Sequence, residues 1–210
     1  MLPFHTSTGS HPLISKEILS SKPIANFFPD CTILFANIVG FTAWTSSGRD
    51  PMQVLTLLAC LYNCFDDIAR KRKVFKVETI GDCYVAVTGL PEPMDEHAVV
   101  MARFSRQCMV KMLEIVRYLE VHLGPDTGDL SVRFGLHSGP VTAGVMRGEK
   151  SRFQLFGDSV NTAARIESTG ERAKIHLSQE TADLIIEAGK PHWVKPRENK
   201  VSAKGKGELQ

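Results

Sequence analysis

Short apolar runs and longer helical stripes alternate along the 210-residue chain. Residues 32–39 are almost entirely apolar, which is typical of a buried strand. A stripe of apolar residues at helical spacing follows, and it predicts a helix with Asp50 as its N-cap and Pro51 in its first turn. The stripe consists of Val54, Leu57, Leu58, Leu61 and Phe65.

The pattern downstream continues to switch between the two periods. Residues 74–78 and 83–87 read as two strands of a hairpin with Gly81 and Asp82 in its turn. A long helix is expected over residues 95–122, followed by two strands with a turn at residues 138–140 between them. Further elements are predicted as strands 131–136, 141–145 and 174–177, helices 159–168 and 179–188, and a closing pair of strands, 192–196 with 200–209.

This order of elements predicts an α+β fold. A β-α-β-β-α-β succession favours a ferredoxin-like core sheet with helices on one face, here with a C-terminal α/β extension. Residues 1–29 are interpreted as a lead-in or linker segment and residues 30–210 as the domain. The last predicted strand reaches the end without a stop signal, so we expect the domain to be truncated there.

Composition excludes several classes of protein. The chain is 43% hydrophobic and 23% charged, as ordinary globular domains are, and its net charge of +2 argues against a nucleic-acid-binding surface. No apolar run approaches the ~20 residues of a membrane-spanning helix. Five cysteines, odd in number and without CxxC spacing, favour a reducing compartment over a disulfide framework.

Two polar residues occupy positions suited to metal binding. Asn37 lies at the end of the apolar strand, and Asp82 lies in the turn of the hairpin. In such a sheet the two positions can converge at one edge, where oxygen ligands suit Mg²⁺. A turn-forming Asp and a hydrogen-bonded Asn explain the same pattern, so spacing alone leaves both interpretations open.

Other residues have weaker individual signals. Gly40, Phe41 and Thr42 form a turn between strand and helix, where backbone N–H groups can hold phosphate, although many such turns contain Gly. Asn161 and Arg165 are four residues apart and share one face of a predicted helix. Lys204 lies in a Lys-Gly-Lys-Gly segment. An ordinary surface pair explains Asn161 and Arg165 equally well, and a solvated tail is the alternative for Lys204.

Taken together, these segments resemble the catalytic domain of the class III nucleotidyl cyclases, the adenylyl/guanylyl cyclase family. The resemblance extends from about residue 30 to the end of the chain, with the motifs in the order of the family. The matching stretches are residues 34–42, 77–82, 135–141, 156–165 and 204–207.

The resemblance implies two-metal catalysis at sites shared between two chains, and hence a homodimer or a paired cyclase domain. It assigns two ions of Mg²⁺ or Mn²⁺ per site to Asn37, Asp82 and the carbonyl of Ile38. Asn161 would orient the ribose and Arg165 would stabilise the pentavalent phosphate. Lys204 would hold the terminal phosphates, and the segment Gly40, Phe41 and Thr42 would contact substrate.

The resemblance also bears on the choice of nucleotide. A carboxylate at Glu78 can accept hydrogen bonds from N1–H and the amino group of guanine, whereas adenylyl members usually have Lys there. Arg152 fits the guanylyl pattern. The amide of Gln154 can donate to guanine O6 but can also serve adenine. GTP is therefore favoured over ATP.

Asn37 departs from the family, which has Asp at this position. Loss of the charge is expected to cost ~3–4 kcal/mol of transition-state stabilisation, or a factor of about 10²–10³ in rate. Three explanations of Asn37 are open. The substitution is engineered, or it is natural in a chain that pairs with an active partner, or the site tolerates it with a reduced rate of catalysis. A catalytically silent nucleotide-binding dimerisation module is an alternative of another class.

The remaining expectations concern location and partners. Residues at the start of the chain look like the segment that precedes the domain in receptor-type cyclases. We therefore expect a module of a larger signalling protein, on the cytoplasmic side of the membrane. The expected partners are GTP or ATP and a second cyclase domain, without nucleic acid and without direct insertion of this segment into a membrane.

Overall fold

The computed structural model describes residues 24–146 and 152–197, together with the backbone of residues 201–203 and 207–209. Residues 1–23 of the expected lead-in and the predicted phosphate contact Lys204 lie outside the described residues. The strands are Ile24–Val39 (β1), Phe75–Ile80 (β2), Cys83–Thr88 (β3), Ser131–Met146 (β4), Arg152–Phe156 (β5), Ile175–Leu177 (β6), Val201–Ala203 (β7) and Gly207–Leu209 (β8). The α-helices are Phe41–Ser46 (α1), Pro51–Arg72 (α2), His97–Leu123 (α3), Asp158–Ser168 (α4) and Gln179–Glu187 (α5).

The main sheet has the strand order β2-β3-β1-β4-β5, and each of these neighbours is antiparallel. Strand β6 adds to β4 in the parallel direction, while β7 and β8 form a separate pair. The order β2-β3-β1-β4, formed by the first four strands of the chain, is that of a ferredoxin-like sheet. The predicted α+β class is therefore confirmed.

The two faces of the sheet carry different helices. Alternation along β1 directs Leu34, Ala36 and Ile38 into the larger core, which α2 and α3 cover. Ile33 belongs to a second buried cluster on the opposite face, together with Ala163 of α4. The expectation of helices on one face holds for α2 and α3 but is wrong for α4, which packs on the opposite face.

Helix α2 begins where the sequence predicts. The Asp50 carboxylate accepts a hydrogen bond from the N–H of Met52 at 2.7 Å, and the Gln53 side chain accepts one from the N–H of Asp50 at 3.1 Å. Pro51 occupies the first turn, where no N–H is needed. This capping box satisfies backbone donors that the helix itself cannot pair.

The central strands are longer than predicted. Residues 131–146 form one continuous strand, so the expected turn at residues 138–140 is wrong, and β1 starts at Ile24 rather than near residue 32. The pairing of β1 with β4 shifts register between Phe28 and Cys31, opposite Pro140. The irregularity accommodates a residue without an N–H donor, so Pro140 does not end the strand.

Three shorter segments also differ from the prediction. Strand β5 and the short helix α1 are not predicted from the sequence. The predicted closing strand at residues 192–196 is wrong, because Pro191–Trp193 forms a 3₁₀ turn and β7 pairs instead with β8. These segments have too few residues for hydrophobic periodicity to identify them.

Candidate functional site

The structure brings Asn37, Ile38 and Asp82 to one edge of the sheet. Asn37 lies near the end of β1, in register with Cys83 of β3 and Arg133 of β4. The N–H of Ile38 donates a hydrogen bond to the backbone carbonyl of Asp82 at 3.2 Å. The strand end and the hairpin turn that were selected from the sequence are therefore direct neighbours.

The donor atoms at this edge fit a small divalent cation. An amide oxygen, a backbone carbonyl and one carboxylate are hard oxygen ligands, and Mg²⁺ commonly takes one or two carboxylates with water and phosphate oxygens completing the shell. Asn37 and Asp82 are both half-buried and so remain open to solvent. Within residues 24–146 and 152–197, no cluster of three or more His, Cys, Asp or Glu side chains forms a metal site.

Tyr62 of α2 holds the turn between β2 and β3 by a hydrogen bond. Its hydroxyl donates a hydrogen bond to the carbonyl of Gly81 at 3.0 Å, one residue before Asp82. Burial raises the pKa of Tyr62, and the nearby Cys83 and Asp82 add to that effect, so the hydroxyl remains a donor. Sequence reasoning missed this contact, since Tyr62 belongs to an ordinary apolar stretch of a helix.

A partly buried ion pair lies beside the same edge. Arg133, the register partner of Asn37, donates through Nε to Oε1 of Glu167 on α4 at 2.5 Å. Glu167 is only 7% exposed, and burial raises its pKa although Arg133 acts in the opposite direction. A Cβ on Gly135 would stand 2.1 Å from the backbone nitrogen of Glu167, so α4 lies directly against β4.

Asn161 and Arg165 project from this same helix. Ala163 between them is completely buried against the sheet, whereas Asn161 is exposed and Arg165 is half-buried. In the part of the chain that the structure describes, no side-chain hydrogen bond or ion pair joins either residue to Asn37 or Asp82. The position of α4, and so of Asn161 and Arg165, depends instead on the ion pair between Arg133 and Glu167.

The residues expected to select the base lie on the two edge strands of the β2-β3-β1-β4-β5 order. Glu78 of β2 is in register with Val85 after a bulge, and Gln154 of β5 is in register with Gly144. Strands β2 and β5 approach each other, as the distance of 4.8 Å between the ring centroids of Phe75 and Phe153 shows. Both Glu78 and Gln154 are half-buried. Arg152 is exposed and shares one side of β5 with Gln154.

The expected phosphate segment connects β1 to α1. Gly40 has φ of 90°, a left-handed conformation that favours glycine, and its carbonyl accepts the N–H of Trp44 at 2.9 Å. Gly40 and Thr42 are exposed and Phe41 is half-buried. Among the helices of the described residues, none is both long enough and apolar enough to cross a bilayer.

Comparisons with known proteins agree on one family. A sequence profile described as the adenylate and guanylate cyclase catalytic domain matches residues 25–210. The receptor-type guanylate cyclase gcy-28 of Caenorhabditis elegans is 43% identical over 198 residues, which is 93% of this chain and 15% of that protein. Human atrial natriuretic peptide receptor 2 is 43% identical over 187 residues, covering 89% of this chain and 17% of the receptor.

A solved structure gives the same result. The guanylate cyclase domain of RhGC from Catenaria anguillulae, determined in complex with GTP, superposes with a TM-score of 0.72 and 35% identity. The match covers 88% of this chain and 94% of that domain. The chain thus corresponds to nearly all of a solved cyclase domain and to about a sixth of the length of its curated relatives.

Proposed function

We propose that this chain, which belongs to the adenylate and guanylate cyclase catalytic domain family, converts GTP to 3′,5′-cyclic GMP and pyrophosphate. The observation that carries the proposal is the hydrogen bond from Ile38 to Asp82, which joins the two expected metal-binding segments at one edge of this fold. Two similar proteins that are named guanylate cyclases, gcy-28 and the RhGC domain, support the same reaction.

In this reaction the ribose 3′-oxygen forms a bond to the α-phosphorus and loses its proton. The bond from the α-phosphorus to the bridging oxygen breaks, and pyrophosphate leaves. On the proposed assignment Asn161 orients the ribose and the Arg165 guanidinium stabilises charge on the α-phosphate as it becomes pentavalent. Lys204 and the segment Gly40, Phe41 and Thr42 hold the phosphate chain.

Asn37, Asp82 and the carbonyl of Ile38 would hold two ions of Mg²⁺ or Mn²⁺. The chemistry supplied by such ions is activation of the 3′-hydroxyl and neutralisation of phosphate charge. The Arg133–Glu167 pair and the Tyr62 hydrogen bond keep the protein ligands in place before substrate binds.

Selection of GTP is assigned to Glu78. Its carboxylate can accept from N1–H and the 2-amino group of guanine, and adenine presents no such pair of donors. Gln154 would donate to guanine O6, with Arg152 on the same side of β5. Adenylyl cyclase activity on ATP is the alternative that a product assay distinguishes.

The site is proposed to form between two chains. One chain would supply the metal-binding edge, and the other Glu78, Gln154, Asn161 and Arg165. A homodimer or a paired cyclase domain meets this requirement. Because the receptor-type relatives are much longer than this chain, we also propose that the domain works on the cytoplasmic side, within a larger signalling protein.

The test is a comparison of the chain with its Asn37→Asp variant. Each is incubated with GTP or ATP and Mg²⁺ or Mn²⁺, and products are identified by mass spectrometry. Restoring the carboxylate should raise the rate of cyclic GMP formation by a factor of about 10²–10³, because the metal ligand regains its charge. Asn63→Asp, which adds the same charge at an exposed position of α2, should leave the rate unchanged.

The other outcomes decide between the remaining interpretations. Preferential formation of cyclic AMP would reassign the substrate to ATP. Absence of any cyclic product from the Asn37→Asp variant, in a preparation shown to be folded and dimeric, would contradict the enzyme proposal. It would favour a catalytically silent nucleotide-binding module, for which Asn37 itself is the supporting observation.

A further inference from the structure

A large cavity within the described part of the chain lies away from the candidate site. It has a volume of about 880 Å³ and opens between α3, α5, β6 and the turn Pro191–Trp193. We call it the α3–α5 groove. It is lined by Arg72, Ala102, Arg103, Arg106, Gln107, Val110, Ile175, Leu177, Ile185, His192 and Trp193. It is on the face of the sheet that α3 covers, opposite α4.

The floor of the groove is apolar and its rim is basic. Ile175, Leu177 and Ile185 belong to the floor, and no carboxylate is among the lining residues. Gln107 accepts a hydrogen bond from Nε of Arg72 at 2.9 Å, and the Arg103 guanidinium lies 5.6 Å from the centre of the Trp193 ring. Guanidinium groups held together without an anion favour an acidic occupant.

The shape of the surface indicates what kind of occupant fits. Arg103, Arg106, Val110 and Leu113 follow one another at helical spacing, and Val110 and Leu113 are 50% and 44% exposed. The same row continues along α3 to Val121, which is 84% exposed. At 1.5 Å per residue the row is ~27 Å long. A small organic anion would fill the cavity but leave most of this row uncovered.

We propose that the α3–α5 groove docks an amphipathic protein helix, with aliphatic side chains on the apolar floor and acidic side chains against Arg72, Arg103 and Arg106. The arrangement is the helix-in-groove mode of recognition. Trp193, which is 37% exposed, and the arginines are the residue types that dominate binding energy at protein interfaces. The groove therefore gives the domain a docking surface separate from its nucleotide chemistry.

The test uses a synthetic, fluorescein-labelled helical peptide of about 20 residues, long enough to span the row. Leucine stands at every third and fourth position, and glutamate flanks it. Fluorescence anisotropy measures its dissociation constant for the full chain. We expect binding that weakens as salt is added, and a loss of at least about tenfold in the Arg103→Glu/Arg106→Glu variant.

Matched controls separate docking from charge attraction alone. Arg70→Glu, on an exposed residue of α2 outside the groove lining, should leave the dissociation constant within about twofold. A peptide with serine in place of leucine should lose binding, since it cannot fill the floor. Peptide binding should also shift tryptophan emission to shorter wavelength, and Trp193→Phe should remove the shift because Trp44 is already buried.

Three results would overturn the proposal. The first is equal binding of the glutamate peptide and a lysine-flanked version, and the second is unchanged binding by the Arg103→Glu/Arg106→Glu variant. The third is arginine-dependent binding of dodecanoate by a chain that does not bind the peptide, which would assign the cavity to a small amphiphilic anion. None of these results bears on cyclisation of GTP, because the assay contains no nucleotide.

Discussion

At the scale of single residues, the half-buried carboxylate of Glu78 is the basis for expecting GTP. Replacing Glu78 by Lys and Gln154 by Asp reverses the hydrogen-bonding pattern offered to the base. In the Asn37→Asp background, we expect the ratio of kcat/KM for ATP to that for GTP to rise at least about tenfold. Product formation from each nucleotide, measured with varied substrate, checks this.

A charge-matched control makes the specificity prediction stricter. Glu92→Lys, at an exposed position beyond β3, introduces the same change of charge away from the proposed base pocket. It should leave the preference for GTP as it was. If the double substitution also leaves the preference unchanged, then Glu78 and Gln154 do not contact the base.

The residues proposed to bind metal and substrate can be selected from the sequence, but the residues that support their positions cannot. Asn37 and Asp82 were identified because a polar residue at a strand end and another in a hairpin turn both break the apolar pattern. Tyr62 and Glu167 were not, because a tyrosine in an apolar helix and a glutamate near a helix end are ordinary features. Nothing local connects Arg133 to Glu167, which is 34 residues away in sequence.

At the scale of secondary structure elements, the close approach of α4 to β4 depends on Gly135. A Cβ at this position would be 2.1 Å from the backbone nitrogen of Glu167, which cannot rotate away. Gly135→Ala should therefore displace α4 and lower the free energy of unfolding by about 1–3 kcal/mol. Urea denaturation followed by circular dichroism measures this loss.

Gly139→Ala on the same strand is the matched comparison. The atoms that its Cβ would meet belong to side chains, the nearest being Oγ of Ser159 at 2.7 Å, and these can adjust. We expect Gly139→Ala to be less destabilising than Gly135→Ala. Equal effects of the two would show that contact with the α4 backbone is not what constrains Gly135.

The elements that the sequence predicted well are those with chemical start and stop signals. Asp50 and Pro51 located the start of α2, and Gly81 with Asp82 located the hairpin. Gly139 and Pro140 have the same local chemistry as a turn, yet they lie within β4. Pairing to a bulged β1 decides their conformation, and that is a property of two strands separated by about a hundred residues.

At the scale of the whole molecule, exposed apolar side chains lie beside both the proposed metal-binding residues and the proposed base-binding strand β5. Ile80 is 56% exposed and lies two residues before Asp82, and Phe156 is 44% exposed at the start of the turn into α4. Phe27 and Met146 are 67% and 52% exposed. Ile80 lies at the same end of the sheet as Asn37, whereas Phe27, Met146 and Phe156 lie toward the other end of the central strands. Exposed apolar side chains of this kind are typical of a protein interface, which agrees with the proposal that a second chain completes the site.

A two-chain site makes a prediction that mixing can test. The Asn37→Asp/Arg165→Ala variant has the metal carboxylate but lacks the phosphate-binding guanidinium, and the unmodified chain has the opposite defect. A heterodimer of the two contains one site in which the restored carboxylate of the variant faces the Arg165 guanidinium of the unmodified chain. The rate of cyclic GMP formation by the mixture should therefore exceed the sum of the separate rates by at least about tenfold.

The control for mixing is an Arg165→Ala chain that retains Asn37. It can pair with the double variant but supplies no guanidinium, so it should give no rescue. Native mass spectrometry establishes that heterodimers form in both mixtures. If heterodimers form and the rates are merely additive, then residue 37 and Arg165 of one chain act in the same site, because each chain would then carry its own defect unchanged into any dimer.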